Sequence, residues 1–336
     1  MMIPDACPKN LRESELQGSK SQPQSYRELL SKYEETEPNF VRGEILEVKG
    51  VGQKDVYNIS APIKKDGNLY LLGRVEPRGS EKNSISCFFI YEPKDNSWWL
   101  AKDLFYWSMQ DPFLTTIKNR YVLNGVIVTP SRFKEGELEY KTVFFQGSNF
   151  KDFRKFTEGP RMMKNIRLVE LADKKIGVFT RPQGEKAGRG KIGFTVINSL
   201  EDLNQDVISK ARIIENQFKE LEWGGVDNAY LLKDGRIGVL GHIASMELDG
   251  SKHYAAMVFE FNPKDFQFSN MRIVALRKDF PPGPAKRPEL EDIIMPGGLQ
   301  KIENEPHYLE KVQLYCGLSD TQAGKIEILN PFGRFW

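Results

Sequence analysis

From about Glu44 onward, apolar and polar residues alternate in pairs of short runs, each pair broken by a polar turn. The clearest pair lies between Gln110 and Val128, with Lys118-Asn119 at the break. Phe113, Thr115 and Ile117 share one face of the first run. Tyr121, Leu123 and Ile127, with Gly125 in the gap, extend that face into the second. A period of two residues is the mark of a strand, and two such runs about a polar pair predict a β-hairpin. Asp111, pinned by Pro112, stands just before the first strand. Similar turns are predicted at Asp66-Gly67, Asp95-Asn96, Asp234-Gly235 and Asp249-Gly250.

Ahead of this region the spacing changes. Tyr26, Leu29, Leu30 and Tyr33 fall on one face of a helix over Ser25–Glu35, with Ser25 as the N-cap and the signal ended by Pro38. Residues 1 to about 23 carry Pro, Gln, Ser and Lys with little to bury, which predicts a loose or strapped-on tail. The organisation expected is a partly helical arm over 1–40 and a single domain over 41–336.

The hairpin plan recurs. Ser60–Glu76, Asp111–Val128, Asn165–Pro182, Asp227–His242 and Pro296–Asp320 each run from a small or polar lead-in through two strands, and their starts fall roughly 50 to 70 residues apart. Further strand candidates at Ser86–Tyr91, Thr142–Gln146, Ile192–Ile197, Tyr254–Phe261 and Met271–Ala275 allow about four strands per unit. The fold predicted is all-β, a five-bladed β-propeller with a short N-terminal helical arm. A pair of β-sandwiches with coincidental hairpins is the alternative.

Composition narrows the partners. The 336 residues can bury a large core, and 40% hydrophobic with 28% charged residues describes a soluble globular chain. The net charge of +2, with both signs interspersed, offers no basic stripe, so nucleic acid is not expected as a partner. An aromatic content of 11% suits β-structure and sugar-stacking surfaces alike. Cys7, Cys87 and Cys316 are too scattered for a disulfide framework and read as free thiols of a reducing cytoplasm. The first twenty residues lack the apolar core of a signal peptide, and no run could span a membrane, so a cytoplasmic protein with no membrane partner is expected. His242, His253 and His307 have no ligand spacing, so neither a metal nor a cofactor is expected.

In a propeller the innermost strand of each blade lines a central channel, and its lead-in faces one mouth. Here the lead-ins are polar: Asn58, Asp111, Asn165 with Arg167, Asp227 with Asn228, and Asp320 after the second strand of the last unit. Polar groups converging in a rigid scaffold are the first place to look for a site.

The order Gln110-Asp111-Pro112, Lys164-Asn165-Ile166-Arg167-Leu168 with Thr180-Arg181-Pro182, then Gly241-His242 followed by Tyr254, resembles the inverting β-mannoside phosphorylases of glycoside hydrolase family 130. Ile293-Ile294-Met295-Pro296-Gly297-Gly298 and Leu314-Tyr315-Cys316-Gly317-Leu318-Ser319-Asp320 are similar to that family's last blade. The match runs from about Asn58 to Ile328 and extends to the related β-1,2-mannosyl transferase/phosphorylase proteins. The resemblance implies an inverting glycoside phosphorylase, or phosphate-dependent transferase, acting on β-mannosides or similar oligosaccharides. Asp111 matches the general acid, which acts through a sugar hydroxyl, and inorganic phosphate is the nucleophile and co-substrate. Arg74, Arg167, Arg181, His242 and Tyr254 match phosphate-binding positions. Arginine suits them because its planar fork pairs two phosphate oxygens and keeps its charge. Asn58, Asn165, Asp227 and Asp320 match positions that grip sugar hydroxyls, and Arg287 either reaches the pocket or decorates a loop. Two departures concern the sugar: Phe113 follows Pro112 where the family motif continues with Arg, and Asn165 stands where many relatives carry Asp.

Plainer readings stand beside these. Asp before Pro is often a turn residue, His242 and Tyr254 could simply pack, Arg181-Pro182 could close a surface strand, and Arg74, Glu76 and Arg78 could form an exposed ladder of little energetic value. Gly184–Gly190 lacks the ending of a phosphate-cradling loop and reads as a hairpin or a mobile lid near the mouth. Two other functions compete: a hydrolase using Glu170 or Asp227 to activate water, and a non-catalytic sugar-binding propeller. The Tyr26–Tyr33 arm is left to cap the channel mouth or to reach a neighbouring subunit of a homo-oligomer.

Overall fold

The Gln110–Val128 hairpin is present, with its two faces registered differently from the sequence reading. The turn residues Lys118 and Asn119 both adopt the left-handed conformation (φ 48° and 63°), as a two-residue hairpin turn requires to match the strand twist. Such a turn sets Ile117 opposite Arg120, Thr115 opposite Val122 and Phe113 opposite Asn124. Leu123 and Tyr121 therefore share the other face, with Leu114 and Thr116. Both faces carry apolar residues because both are covered: Ile117 and Val122 pack toward one neighbouring sheet, Leu114 and Leu123 toward the other.

The computed structural model describes residues 23–36, 42–80, 83–133, 135–269, 271–302 and 311–333. The tail expected over residues 1 to about 23 lies outside them apart from its last residue, as do Cys7, Pro38 and His307. The described chain is mostly β in a propeller-like arrangement, with two α-helices among the described residues, Tyr26–Glu35 and Gln205–Ser209. A large sheet runs Glu47–Lys49, Ser97–Leu100, Ile85–Glu92, Asn68–Glu76, Asp55–Tyr57, with Ile63–Lys65 also on Asn68–Glu76 and Tyr106–Trp107 on Ile85–Glu92. Next come three four-stranded antiparallel sheets in chain order. These are Gln110–Ile117, Arg120–Pro130, Leu138–Gly147, Arg154–Glu158; then Arg167–Glu170, Ile176–Thr180, Gly193–Ile197, Arg212–Ile213; then Trp223–Leu231, Ile237–Met246, Lys252–Phe261, Arg272–Ala275. The last sheet takes Ile294–Lys301, Lys311–Leu318 and Gln322–Leu329, and its outer strand is Glu44–Ile45 from the start of the chain. The ends of the strand-bearing chain thus meet in one sheet.

The apolar core lies between sheets. Leu72, Phe88, Leu123 and Phe150 fill one such layer, Leu168, Val178 and Ile197 with Phe144 a second, and Leu240, Val258, Ile294 and Leu314 another. Val56, Phe89 and Trp98 pack against Tyr315 and Ala323, so the first sheet abuts the last. Apolar packing between the blades leaves the inner strand ends free to carry polar groups.

The predicted helix forms over Tyr26–Glu35. Ser25 Oγ accepts from Glu28 N (3.2 Å) while Ser25 N donates to Glu28 Oε2 (2.6 Å), a reciprocal cap. Tyr26, Leu29 and Tyr33 are buried against the layer holding Phe179, Val239 and Phe259. Tyr33 Oη donates to Asp279 Oδ2 (2.7 Å) and Tyr26 N to Glu222 Oε1 (2.6 Å). The apolar face of the arm is thus occupied by its own chain, and no residue of the helix lines the axial cavity described below. Among the described residues no helix is long and apolar enough to cross a membrane.

Candidate active site

Three of the inner strands break their regular pairing where they near the axis. Asp111 and Pro112 bulge opposite Gly125, Asp227 bulges between Val226 and Asn228, and Gly297 between Pro296 and Gly298. Asn58 follows Asp55–Tyr57 and Asn165 precedes Arg167–Glu170. Asn58, Asp111, Asn165 and Asp320 all take positive φ, from 46° to 57°. Asn and Asp tolerate that region better than other side chains with a Cβ, and a bulge re-aims the residue it holds. Side-chain amides link sheet to sheet: Asn58 Nδ2 donates to Asp111 Oδ1 (2.8 Å), Asn124 Nδ2 to the Ile166 carbonyl (3.1 Å), Asn165 Nδ2 to Asp227 Oδ1 (2.8 Å), and Asn228 Nδ2 to the Gly297 carbonyl (3.4 Å). At Gly297 a Cβ would lie 1.6 Å from the Ile59 carbonyl oxygen, so only glycine lets the last sheet approach the first.

Inside these contacts is a cavity of about 240 Å³. The eleven residues matched to acid, phosphate and sugar positions all line it: Asn58, Arg74, Asp111, Asn165, Arg167, Arg181, Asp227, His242, Tyr254, Arg287 and Asp320. The exposed ladder imagined for Arg74, Glu76 and Arg78 does not exist. Arg74 and Glu76 are buried against each other (3.0 Å), because that strand is covered on both faces, and Arg78 turns away to Asp55 (2.6 Å). Glu170 is not among the lining residues; it accepts from Lys118 N (2.6 Å) and pairs with Lys174 (2.9 Å). Gly184–Gly190 takes the hairpin form, closed by the Gly184–Gly188 pair. Lys164 and Lys252 also line the cavity, though the sequence reading assigned them no role. The signal for Lys164 was its place directly before Asn165.

Two halves of the cavity differ in chemistry. On one side Arg167 Nε donates to the Asp227 carbonyl (3.0 Å) and its guanidinium stacks over Phe113 (4.7 Å). Arg181 Nε donates to the Gly224 carbonyl (2.7 Å). His242 Nδ1 meets Asp227 Oδ2 at 2.7 Å, and its ring stacks on Tyr254. Both Asp227 oxygens are thus engaged, and that carboxylate orients its neighbours instead of meeting solvent. Burial keeps the Tyr254 phenol above its usual range and therefore neutral, with Arg181 opposing. The rigid donors here outnumber the anions, which is the make-up of an oxyanion site.

On the other side stand Asp111, Asp320, Asn58 and Arg74. Asp111 is 18% exposed at its side chain, and Oδ1 takes hydrogen bonds from Asn58 and from Arg74 Nη1 (3.1 Å). Burial would raise its carboxyl, but the charges of Arg74 and Lys164 and those two bonds outweigh burial and hold it below the usual carboxylate range. Asp320 goes the other way: burial raises it, the charge of Asp111 adds to that, and Arg74, Lys286 and Lys164 only partly oppose. Two carboxyls driven apart in this manner are the usual arrangement of acid–base chemistry. The Asn58 Oδ1 is buried without a partner among the described residues.

Residues 32–334 match the family described as protein of unknown function (DUF1861). No curated protein matches the chain in sequence. Among solved structures, a mannose phosphorylase from Leishmania mexicana, in complex with a phosphate ion, is 28% identical, covering 91% of this chain and 93% of its own, with a TM-score of 0.82. A GDP-Man-dependent mannosyltransferase from the same organism is 32% identical over 92% of this chain and 95% of its own, with a TM-score of 0.81. A structure from the GH130 family of mannoside phosphorylases, which contains glycoside hydrolases that target β-1,2 mannosidic linkages in Candida mannan, is 14% identical over 88% of this chain and 98% of its own, with a TM-score of 0.53. At that identity the likeness is one of fold. The resemblance read from the motifs and these neighbours agree.

Proposed function

The chain belongs to the DUF1861 family, and from that premise and the cavity's geometry we propose that it is a cytoplasmic, five-bladed β-propeller enzyme that exchanges mannosyl groups with phosphate. The larger first sheet counts as the fifth blade, residues 41–336 form one domain, and the arm over 1–40 is an attachment to it. The activity is that of an inverting glycoside phosphorylase, or phosphate-dependent transferase, on β-mannosides. Inorganic phosphate is a co-substrate and no cofactor is needed. The buried free thiols Cys87 and Cys316 suit a reducing compartment.

One observation carries the reading: Asp111, an acid with one oxygen held by Asn58 and Arg74, shares a cavity with a cluster of rigidly held cations. Phosphate bound by Arg167, Arg181, His242 and Tyr254 attacks the anomeric carbon from the face opposite the leaving oxygen. The bond from that carbon to the leaving oxygen breaks as the bond to phosphate forms, and configuration inverts. The Asp111 proton passes through a sugar hydroxyl to the leaving oxygen, while Asn58, Asn165 and Asp320 hold the sugar. The charges of Arg74 and Lys164 keep Asp111 ionised at neutral pH. A bound phosphate dianion offsets the nearby cations and so raises the affinity of Asp111 for its proton.

An ionised Asp111 also favours a second reading, the reverse direction. There Asp111 accepts the proton of an acceptor hydroxyl, and a sugar phosphate is the donor. The 32% identical neighbour is a mannosyltransferase, which supports transfer to an acceptor, though that protein depends on GDP-Man. Hydrolysis is less well supported, because Asp227 has both oxygens engaged and Glu170 is not among the cavity residues. The test is turnover of a panel of β-mannosides against phosphate concentration: the rate should rise from zero and saturate. An equal rate in phosphate-free buffer contradicts the proposal.

A further inference from the structure

Behind Asp111 a row of buried charges leads away from the cavity. Arg74 gives Nη1 to Asp111 and Nη2 to both Glu76 oxygens (3.1 and 3.0 Å). Glu76 also accepts from Lys286 Nζ (2.7 Å), Ser84 Oγ and Tyr57 Oη. The side chains of Glu76 and Lys286 are only 1% and 2% exposed, and neither residue lines the cavity. The signs alternate: Lys286 positive, Glu76 negative, Arg74 positive, Asp111 negative.

The far end of this row sits on a loop that does meet the cavity. Arg287 is in extended conformation, and its side chain lines the cavity at 45% exposure. Lys286, one residue earlier, is buried under Tyr57 and Glu76. Neighbouring residues of an extended chain point to opposite sides, so one short segment presents a cation to the ligand and another to the interior. Lys286 N donates to the Ser319 carbonyl (3.0 Å), tying the same segment to the turn that carries Asp320.

Stability does not account for the row. Buried ion pairs lose much of their attraction to desolvation, and apolar replacements of similar volume often serve as well. A fork held at both ends does fix orientation: with Nη2 seated on Glu76, Arg74 can offer Nη1 to Asp111 in one geometry only.

We propose that Glu76 and Lys286 are positioning residues for Asp111, acting through Arg74 and linking the Arg287 loop to the acid. This rests on the phosphorylase reading for its kinetic test, and a second arm is independent of it. Asp111 touches Arg74 and feels the charges of Lys164, Arg167 and Asp320. Glu76 offsets the first of these, and Lys286 offsets Glu76. Removing the Glu76 charge leaves Arg74 uncompensated and favours ionised Asp111; removing the Lys286 charge does the reverse.

The experiment compares pH profiles of phosphorolysis for wild type, Glu76→Gln, Lys286→Met and Lys286→Arg. We expect kcat to fall about tenfold or more in the first two variants, as misplacement of a catalytic group does, with KM for phosphate nearly unchanged. The limb assigned to Asp111 should move to lower pH in Glu76→Gln and to higher pH in Lys286→Met, by about half a unit or more for charges this close in a buried site. Lys286→Arg should recover most of the rate. Limbs that move together, or a loss confined to KM, overturn the proposal. A wild type without phosphate-dependent turnover removes the phosphorylase reading alone. The network is then judged by urea midpoints of Lys286→Met, Asp111→Asn and the double variant. Non-additive shifts between these two non-contacting residues support coupling, and additive shifts overturn it.

Discussion

Asp320 is a residue whose buried, charged surroundings work against the fold. It lines the cavity beside Asp111, and burial with that neighbouring charge raises its carboxyl above the ordinary Asp value. A carboxyl that holds its proton more tightly folded than unfolded costs stability as pH rises through the window between those two values. Below about 3.9, the ordinary Asp value, both states are protonated and the cost is absent. Asp320→Asn keeps a side chain suited to positive φ and should therefore melt higher than wild type at pH 7, with the difference gone near pH 3. A melting point lowered at pH 7 would show that Asp320 is not strained by its charge. At this scale the sequence revealed much. Asn58, Asp111, Asn165 and Asp227 stood out because a polar residue before an apolar strand has no core to join. Glu76 and Lys286 did not stand out: Glu76 looks like the solvent side of a strand end and Lys286 like a loop cation, and only the packing of the first sheet against the Lys286 loop hides them.

Among the elements, the helix was the most legible because local chemistry suffices for it. Ser25, Glu28 and the spacing of Tyr26, Leu29 and Tyr33 define its start and its buried face without tertiary information. What the arm does with that face was not legible, since its partners, Phe179 and Phe259 among them, lie more than a hundred residues away in the chain. Leu29 is almost wholly buried there. Leu29→Ala should lower stability by about 2–5 kcal/mol in urea unfolding; a change under about 0.5 kcal/mol would mean that the arm is not docked in solution. The hairpin over Gln110–Val128 shows the opposite limit. Its existence followed from period two and a polar turn, but its faces did not, because strands covered on both sides carry apolar residues at odd and even positions alike. Turn length, which pairs Ile117 with Arg120, is the better guide to register.

For the whole molecule, closure matters most. Glu44–Ile45 completes the last sheet from the start of the chain, so the ring of sheets is held shut by backbone pairing between distant segments. Truncation that removes residues through Ile45 should lower the melting temperature more than truncation that stops before Gly43. Equal effects from the two would mean that the strand adds little to closure. Closure also brings residues from every sheet to one axis, so the eleven dispersed positions named from the polar lead-ins and the family resemblance meet in a single cavity. The central claim is that this cavity passes a mannosyl group to phosphate with inversion, using Asp111 as the acid. The most direct measurement is ³¹P NMR of the protein with β-mannosides and inorganic phosphate. The account predicts that α-mannose 1-phosphate grows in with wild type and forms about 10²–10⁴-fold more slowly with Asp111→Asn. Release of free mannose without a sugar phosphate, or an undiminished rate in the variant, would contradict it.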